Sequence, residues 1–220
     1  IHRMDLIDKL IWNKARRIKD LENFAVETGW SFTTEEEHGL LDQLKQFKLF
    51  QRGTSKKIQP ILKINKKDAQ FRLFDYQFVV STGKSSHTYR QTVFFMESKQ
   101  LALPQFYQKP ELFFDKIISY FGWEDIDFQK FPEYSERYHL KGDYDGVIRF
   151  FFSDTIIQLL TQQKSLYMEG MHYYFIIYRK SKIIPYPSLP AFVDLSMLLS
   201  NLFLERSEES HQFLNLNLKY

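Results

Sequence analysis

The chain has no cysteine among its 220 residues. That excludes disulfides, thiolate nucleophiles and cysteine-ligated zinc. Long hydrophobic runs are missing too. The longest apolar stretches are short, such as residues 173–178 and, interrupted by Ser196, residues 195–199. Neither approaches the roughly 18 residues a bilayer span needs. No stretch near Ile1 reads as a secretory signal peptide. Catalytic and metal signatures are equally scarce. The six histidines, at positions 2, 38, 87, 139, 172 and 211, include no pair with metal-ligand spacing on a helix. There is no G-x-S-x-G nucleophile elbow. No catalytic residue, metal site or cofactor is therefore assigned from the sequence.

Three local patterns come close to chemistry and fall short. Gly83-Lys84-Ser85 echoes the end of a phosphate-binding loop. The full motif needs glycine five residues earlier, where Phe78 stands, and a helix after it. Asp125/Asp127 and Asp143/Asp145 are carboxylate pairs of the kind that bind divalent cations. A calcium loop built through Gly146 would want acids at 141 and 152, where Lys141 and Phe152 stand. Solvated turns and a helix cap explain both pairs. His87, close to Ser85, Ser86 and Tyr89, suits hydrolysis only if distant residues converge on it.

What the chain does have is apolar and aromatic bulk. Apolar residues make up 44% and aromatics 17%, with 22 Phe, so a substantial core is available. This length suits one large domain or two small lobes. Apolar positions spaced along residues 5–28 predict a helix stopped by Gly29. A second helix is expected from Thr33 or Thr34 to about Phe47, because Glu35–Glu37 suit its positive end. Residues 51–57 read as a loop and 58–64 as a strand. The strongest signal is the β-hairpin of residues 71–97, two β-branched and aromatic arms around a polar Gly/Ser tip. Phe74, Tyr76 and Phe78 alternate with Asp75 and Gln77, which predicts one buried and one wet face.

Leu103-Pro104 breaks the sheet, leaving a short extension at 105–107. Pro110 opens a helix to Gly122. Residues 137–140 read as a strand. Asp143, and then Ser153 or Asp154, cap two helices. A second hairpin turns at Gly170, and residues 191–204 form an apolar helix. The end, SEESHQ and FLNLNLKY, reads as a polar tail with strand-like alternation or no order. The chain thus reads as an α+β protein: an antiparallel sheet with a long β-hairpin, flanking helices and two abutting lobes. The first lobe is 1–122, the second 123–206, and the polar tail 207–220.

Charge is unevenly distributed. Residues 45–72 hold nine basic side chains and one acid, whereas 111–146 hold nine acids and four bases. Lys56, Lys57, Lys63, Lys66 and Lys67, with Arg90 on the neighbouring hairpin, form a candidate polyanion-binding face. Edge protection of a strand by lysine is the plain alternative.

The segments AVETGWSF (25–32), FDYQFVVSTGKSSHTYRQTVFF (74–95), PELFFDKIISYFGWEDIDF (110–128) and PEYSERYHLKG (132–142) occur in this order. That order resembles a class of uncharacterised bacterial proteins with N-terminal membrane helices followed by a soluble α+β region. The resemblance implies an anchor upstream of Ile1 and a domain on the cytoplasmic side; it transfers no site residue. The leading expectation is a non-enzymatic binding or structural domain acting beside a membrane through its basic face. Its partner would be an anionic membrane surface or a membrane protein. A single-stranded nucleic-acid binder, stacking bases on Tyr89, comes second. A hydrolase with a site assembled from distant residues comes third. The oligomeric state is not legible.

Overall fold

The computed structural model describes residues 13–111 and 125–217, with side chains described through residue 211. Helix α1 (Lys14–Thr28) begins where the Asn13 side chain accepts the Arg16 amide. It ends at Gly29, whose φ of 75° is the left-handed stop expected there. Eight strands follow: β1 (Ser31–Thr33), β2 (Thr54–Lys66), β3 (Ala69–Ser81), β4 (Ser86–Ser98), β5 (Leu103–Pro110), β6 (Tyr138–Gly142), β7 (Tyr167–His172) and β8 (Tyr174–Tyr178). They form one antiparallel sheet in the order β1-β2-β3-β4-β8-β7-β5-β6. Short helices α2 (Leu40–Leu44), α3 (Lys48–Gln51), α4 (Pro132–Ser135), α5 (Asp145–Phe151) and α6 (Asp154–Thr161) flank it, and α7 (Leu189–Asn217) is the longest. The fold is thus α+β, with the long hairpin at its centre. Strands from both sides of residues 123–136 belong to this one sheet.

Both faces of the sheet are covered. On one, α1, α5, α6 and α7 pack Phe24, Phe151, Ile157 and Phe203 over Leu73, Phe94, Met96 and Phe175. On the other, α2 and α3 pack Leu44, Phe47 and Phe50 over Phe74, Tyr76, Phe78 and Phe95. The wet face expected for β3 is therefore absent at its middle. Asp75 is only 4% exposed, because α1 lies across it.

Several boundaries differ from expectation. Of the helix expected over 33–47 only α2 forms, with α3 beginning just beyond it, and Glu35–Glu37 lie outside both. Thr33 Oγ1 accepts the Glu35 amide, and the Glu37 carboxylate is held by Arg72, so neither serves a helix start. Strand β2 starts at Thr54, inside the expected loop. Strand β5 runs through Pro104, which sits at a register shift between Leu103 and Phe106, where a missing N–H is tolerated. Pro110 closes β5; the helix expected to follow it lies from 112 to 122, outside the described residues. Asp143 is not a cap, since α5 starts after Tyr144, whereas Ser153 stands at the N-cap of α6 as expected.

The second hairpin turns at His172–Tyr173 rather than Gly170. Gly170 lies within β7, where a Cβ would meet the Phe106 ring at 2.2 Å. The tail from 207 is helical through Asn217. Ser207 is buried, and its Oγ accepts the Ala102 amide, which ties this part of the helix to the sheet.

Candidate functional site

A cleft of about 210 Å³ opens where the first turns of α1 cross β2, β3 and β4. Its chemistry is set by sheet register. Lys57 pairs with Gln77, and Gln77 pairs with Arg90, so the three form a row across adjacent strands. Arg90 Nε donates to Gln77 Oε1 at 2.8 Å, which orients the guanidinium. Lys14 and Arg17, one helical turn apart, face this row from above. The register of β2 shifts between Ile58 and Ile61, and Gln59 and Pro60 at that irregularity form part of the wall.

Arg17 is the anchor of the site. Its Nε and Nη2 bind the two carboxylate oxygens of Asp75 at 2.7 and 2.9 Å. Nη2 also reaches Thr92 Oγ1, and Nη1 the Ile184 carbonyl. Thr92 in turn donates to Asp75 and accepts the Ile184 amide. Both ions are at least 95% buried, yet nearly every donor and acceptor of the network is used. A buried ion pair of this kind costs more to break than it contributes as a pair, since removing one partner strands the other. The network fixes α1 and the 179–185 loop on the sheet. It also neutralises the one carboxylate that lines the cleft among the described residues. Lys14 and Lys57 form no ion pair among the described residues.

The structure divides the six basic residues singled out from the sequence. Lys57 and Arg90 meet in the cleft. Lys56 Nζ donates to the Phe50 carbonyl. Lys63 joins Arg72 on the Glu37 carboxylate, and Arg72 also reaches Glu97. Arg72 with Lys63 holds the Glu37 carboxyl below its ordinary range. Lys66 and Lys67 sit at the β2–β3 turn, nine or ten residues from Lys57, roughly 30 Å along an extended strand. Lys14 and Arg17 went unnoticed. Nothing in a helical pattern says which sheet residues its first turn will cover.

One member of each carboxylate pair is used internally. Asp125 accepts the Leu140 amide and pairs with His139, and Asp145 pairs with Arg149 four residues on. His87 contacts Ser85 at the exposed hairpin tip. Among the described residues no group of three or more His, Asp or Glu is arranged to hold a metal ion. The Tyr89 ring already stacks on Phe78, 5.2 Å between centroids. Tyr76 and Gln91 each keep one buried polar atom without a hydrogen-bond partner.

Residues 186–211 are long and apolar enough to cross a membrane, by length and composition only, with mean hydropathy 1.3. Scattered Ser and Asn hid this from a search for unbroken apolar runs. One side of α7, including Leu189, Phe192, Ser196, Leu199 and Phe203, is core, and its serines donate to carbonyls one turn back. Crossing a bilayer would remove that side from the sheet.

No protein-family model and no curated protein matches the chain. Its fold is similar to the crystal structure of the mycobacterial trehalose monomycolate transport factor A, TtfA. The TM-score is 0.58 over 86% of this chain and 93% of that one, at 10% sequence identity. At that identity the likeness is one of fold.

Proposed function

We propose that this chain is a non-enzymatic binding domain working beside a membrane, on its cytoplasmic side, and engaging anionic groups through basic residues of the sheet. The observation that carries this reading is the convergence of Lys14, Lys57 and Arg90 on a cleft whose one carboxylate among the described residues, Asp75, is already bound to Arg17. The fold likeness to a transport factor is compatible with a binding role. A membrane anchor preceding Ile1, as in the bacterial class the sequence resembles, belongs to the same proposal.

Co-sedimentation with vesicles tests it. Binding is expected to anionic phosphatidylglycerol vesicles and not to phosphatidylcholine. Each basic residue near such a surface contributes about 1 kcal/mol. Binding should weaken steeply with salt, since charges are screened beyond about 8–10 Å at physiological ionic strength. Replacing Lys57, Lys66 and Lys67 with Gln should remove most of it while leaving the melting temperature unchanged. Absence of vesicle binding overturns the membrane reading. Tighter binding to a single-stranded oligonucleotide, lost on Tyr89→Ala, would replace it with the nucleic-acid one.

A further inference from the structure

We infer that the cleft between α1 and the Lys57–Gln77–Arg90 row is a binding site for a single phosphomonoester group, such as a phosphorylated headgroup, rather than one part of an extended polyanion track. The inference rests on the binding role proposed above and names its ligand.

Size comes first. At about 210 Å³ the cleft lies below the ~300 Å³ at which drug-sized pockets begin, which suits a phosphate with a small substituent. Continuity along the sheet comes second. A polymer would need a run of available cations, but Lys56 and Lys63 are engaged within the chain, and Lys66 and Lys67 stand at the far end of β2. Charge comes third. Among the described residues four cationic side chains line the cleft against one carboxylate, Asp75, and Arg17 cancels it. Lys14 and Lys57, which form no ion pair among the described residues, stand over this space beside the Arg90 guanidinium. A phosphomonoester brings about −1.5 to −2 charges and three acceptor oxygens, whereas a carboxylate brings one charge and two oxygens. Orientation comes last. Arg90 is pre-set by Gln77, and a planar guanidinium held in place recognises phosphate oxygens through paired hydrogen bonds. Arg17 is itself hydrogen-bonded to Asp75, Thr92 and the Ile184 carbonyl, which holds the helix carrying Lys14 against the row.

The test separates this site from general surface charge and from the membrane reading. Glycerol 1-phosphate is titrated into the protein, with heat and amide NMR shifts as readouts and acetate as the comparison anion. Saturable binding is expected, with shifts centred on residues 14–18, 57–60 and 90. Lys57→Gln and Arg90→Gln should each weaken it by about tenfold or more, Arg90→Lys by less, and the Lys66→Gln/Lys67→Gln pair not at all. Thermal melts confirm that each variant folds. In parallel, vesicles carrying phosphatidic acid, a monoester, are compared with phosphatidylglycerol, a diester. Preference for phosphatidic acid that is lost with Lys57→Gln identifies a lipid headgroup as the source of the phosphate. Glycerol 1-phosphate binding in the cleft without binding to either vesicle upholds the site and removes the membrane reading. Vesicle binding that ignores Lys57 and Arg90, with no saturable glycerol 1-phosphate binding, overturns the site and leaves the membrane reading standing. Equal weakening by the Lys66/Lys67 pair, or equal binding of acetate, also overturns it.

Discussion

Glu169 is a buried carboxylate under opposing electrostatic influences. It lies on β7, fully buried, and accepts the Lys48 and Leu49 amides at 2.6 and 3.1 Å and the Tyr178 hydroxyl at 3.1 Å. Those donors favour the carboxylate, but burial outweighs them and raises its pKa from 4.5 to about 7. The folded state therefore holds this proton more tightly than the unfolded chain. Its stabilising contribution is full below about pH 4.5 and is lost as pH rises through about 7. The shift corresponds to on the order of 3 kcal/mol. Urea midpoints of the wild type should fall across pH 5–7.5, and Glu169→Gln should flatten that slope; parallel slopes would refute the assignment. Asp75 shows the opposite environment, a carboxylate with a dedicated cation. Its place in an alternating strand made it look wet, because its partner Arg17 lies 58 residues away. For the same reason Lys57 and Arg90 were legible as part of the site while Lys14 was not.

Elements defined by local chemistry were the readable ones. The β3–β4 hairpin needs only its own arms and tip, and its register runs unbroken from Ala69↔Ser98 to Ser81↔Ser86. The Gly29 stop of α1 was equally local. The elements that escaped depend on distant partners. β5 keeps eight residues because β6 and β7 pair with it on either side, and Gly170 serves Phe106 rather than a turn. Helix α7 extends past the apolar stretch because its buried stripe, which includes Ser200 and Phe203, continues at Ser207. Its two sides should respond differently to substitution. Leu199→Ala empties a fully buried site and should cost about 2–5 kcal/mol. Leu198→Glu, on a residue 47% exposed, should shift stability by no more than about 0.5 kcal/mol. Denaturant melts of the two variants check this, and equal losses would show that the outer side is also packed.

At the scale of the molecule, strand order is the deciding feature. β8 and β7 are late in the chain yet lie between β4 and β5. A fragment of residues 1–122 would carry five of these eight strands and still lack β8 beside β4 and both neighbours of β5. It should show no cooperative urea transition, whereas a wild-type-like transition would establish the first lobe as independent. The same order has a consequence for synthesis. Ser98 leaves the ribosome 76 residues before Tyr174, the start of the strand that covers it. At 5–20 residues per second that interval lasts roughly 4–15 s. Throughout it, Val93-Phe94-Phe95-Met96 presents an open, uncharged apolar edge, the kind of segment that nucleates cross-β association. Co-expression of a holdase chaperone that shields this nascent strand until the far end of the sheet arrives is therefore expected to raise the yield of folded protein.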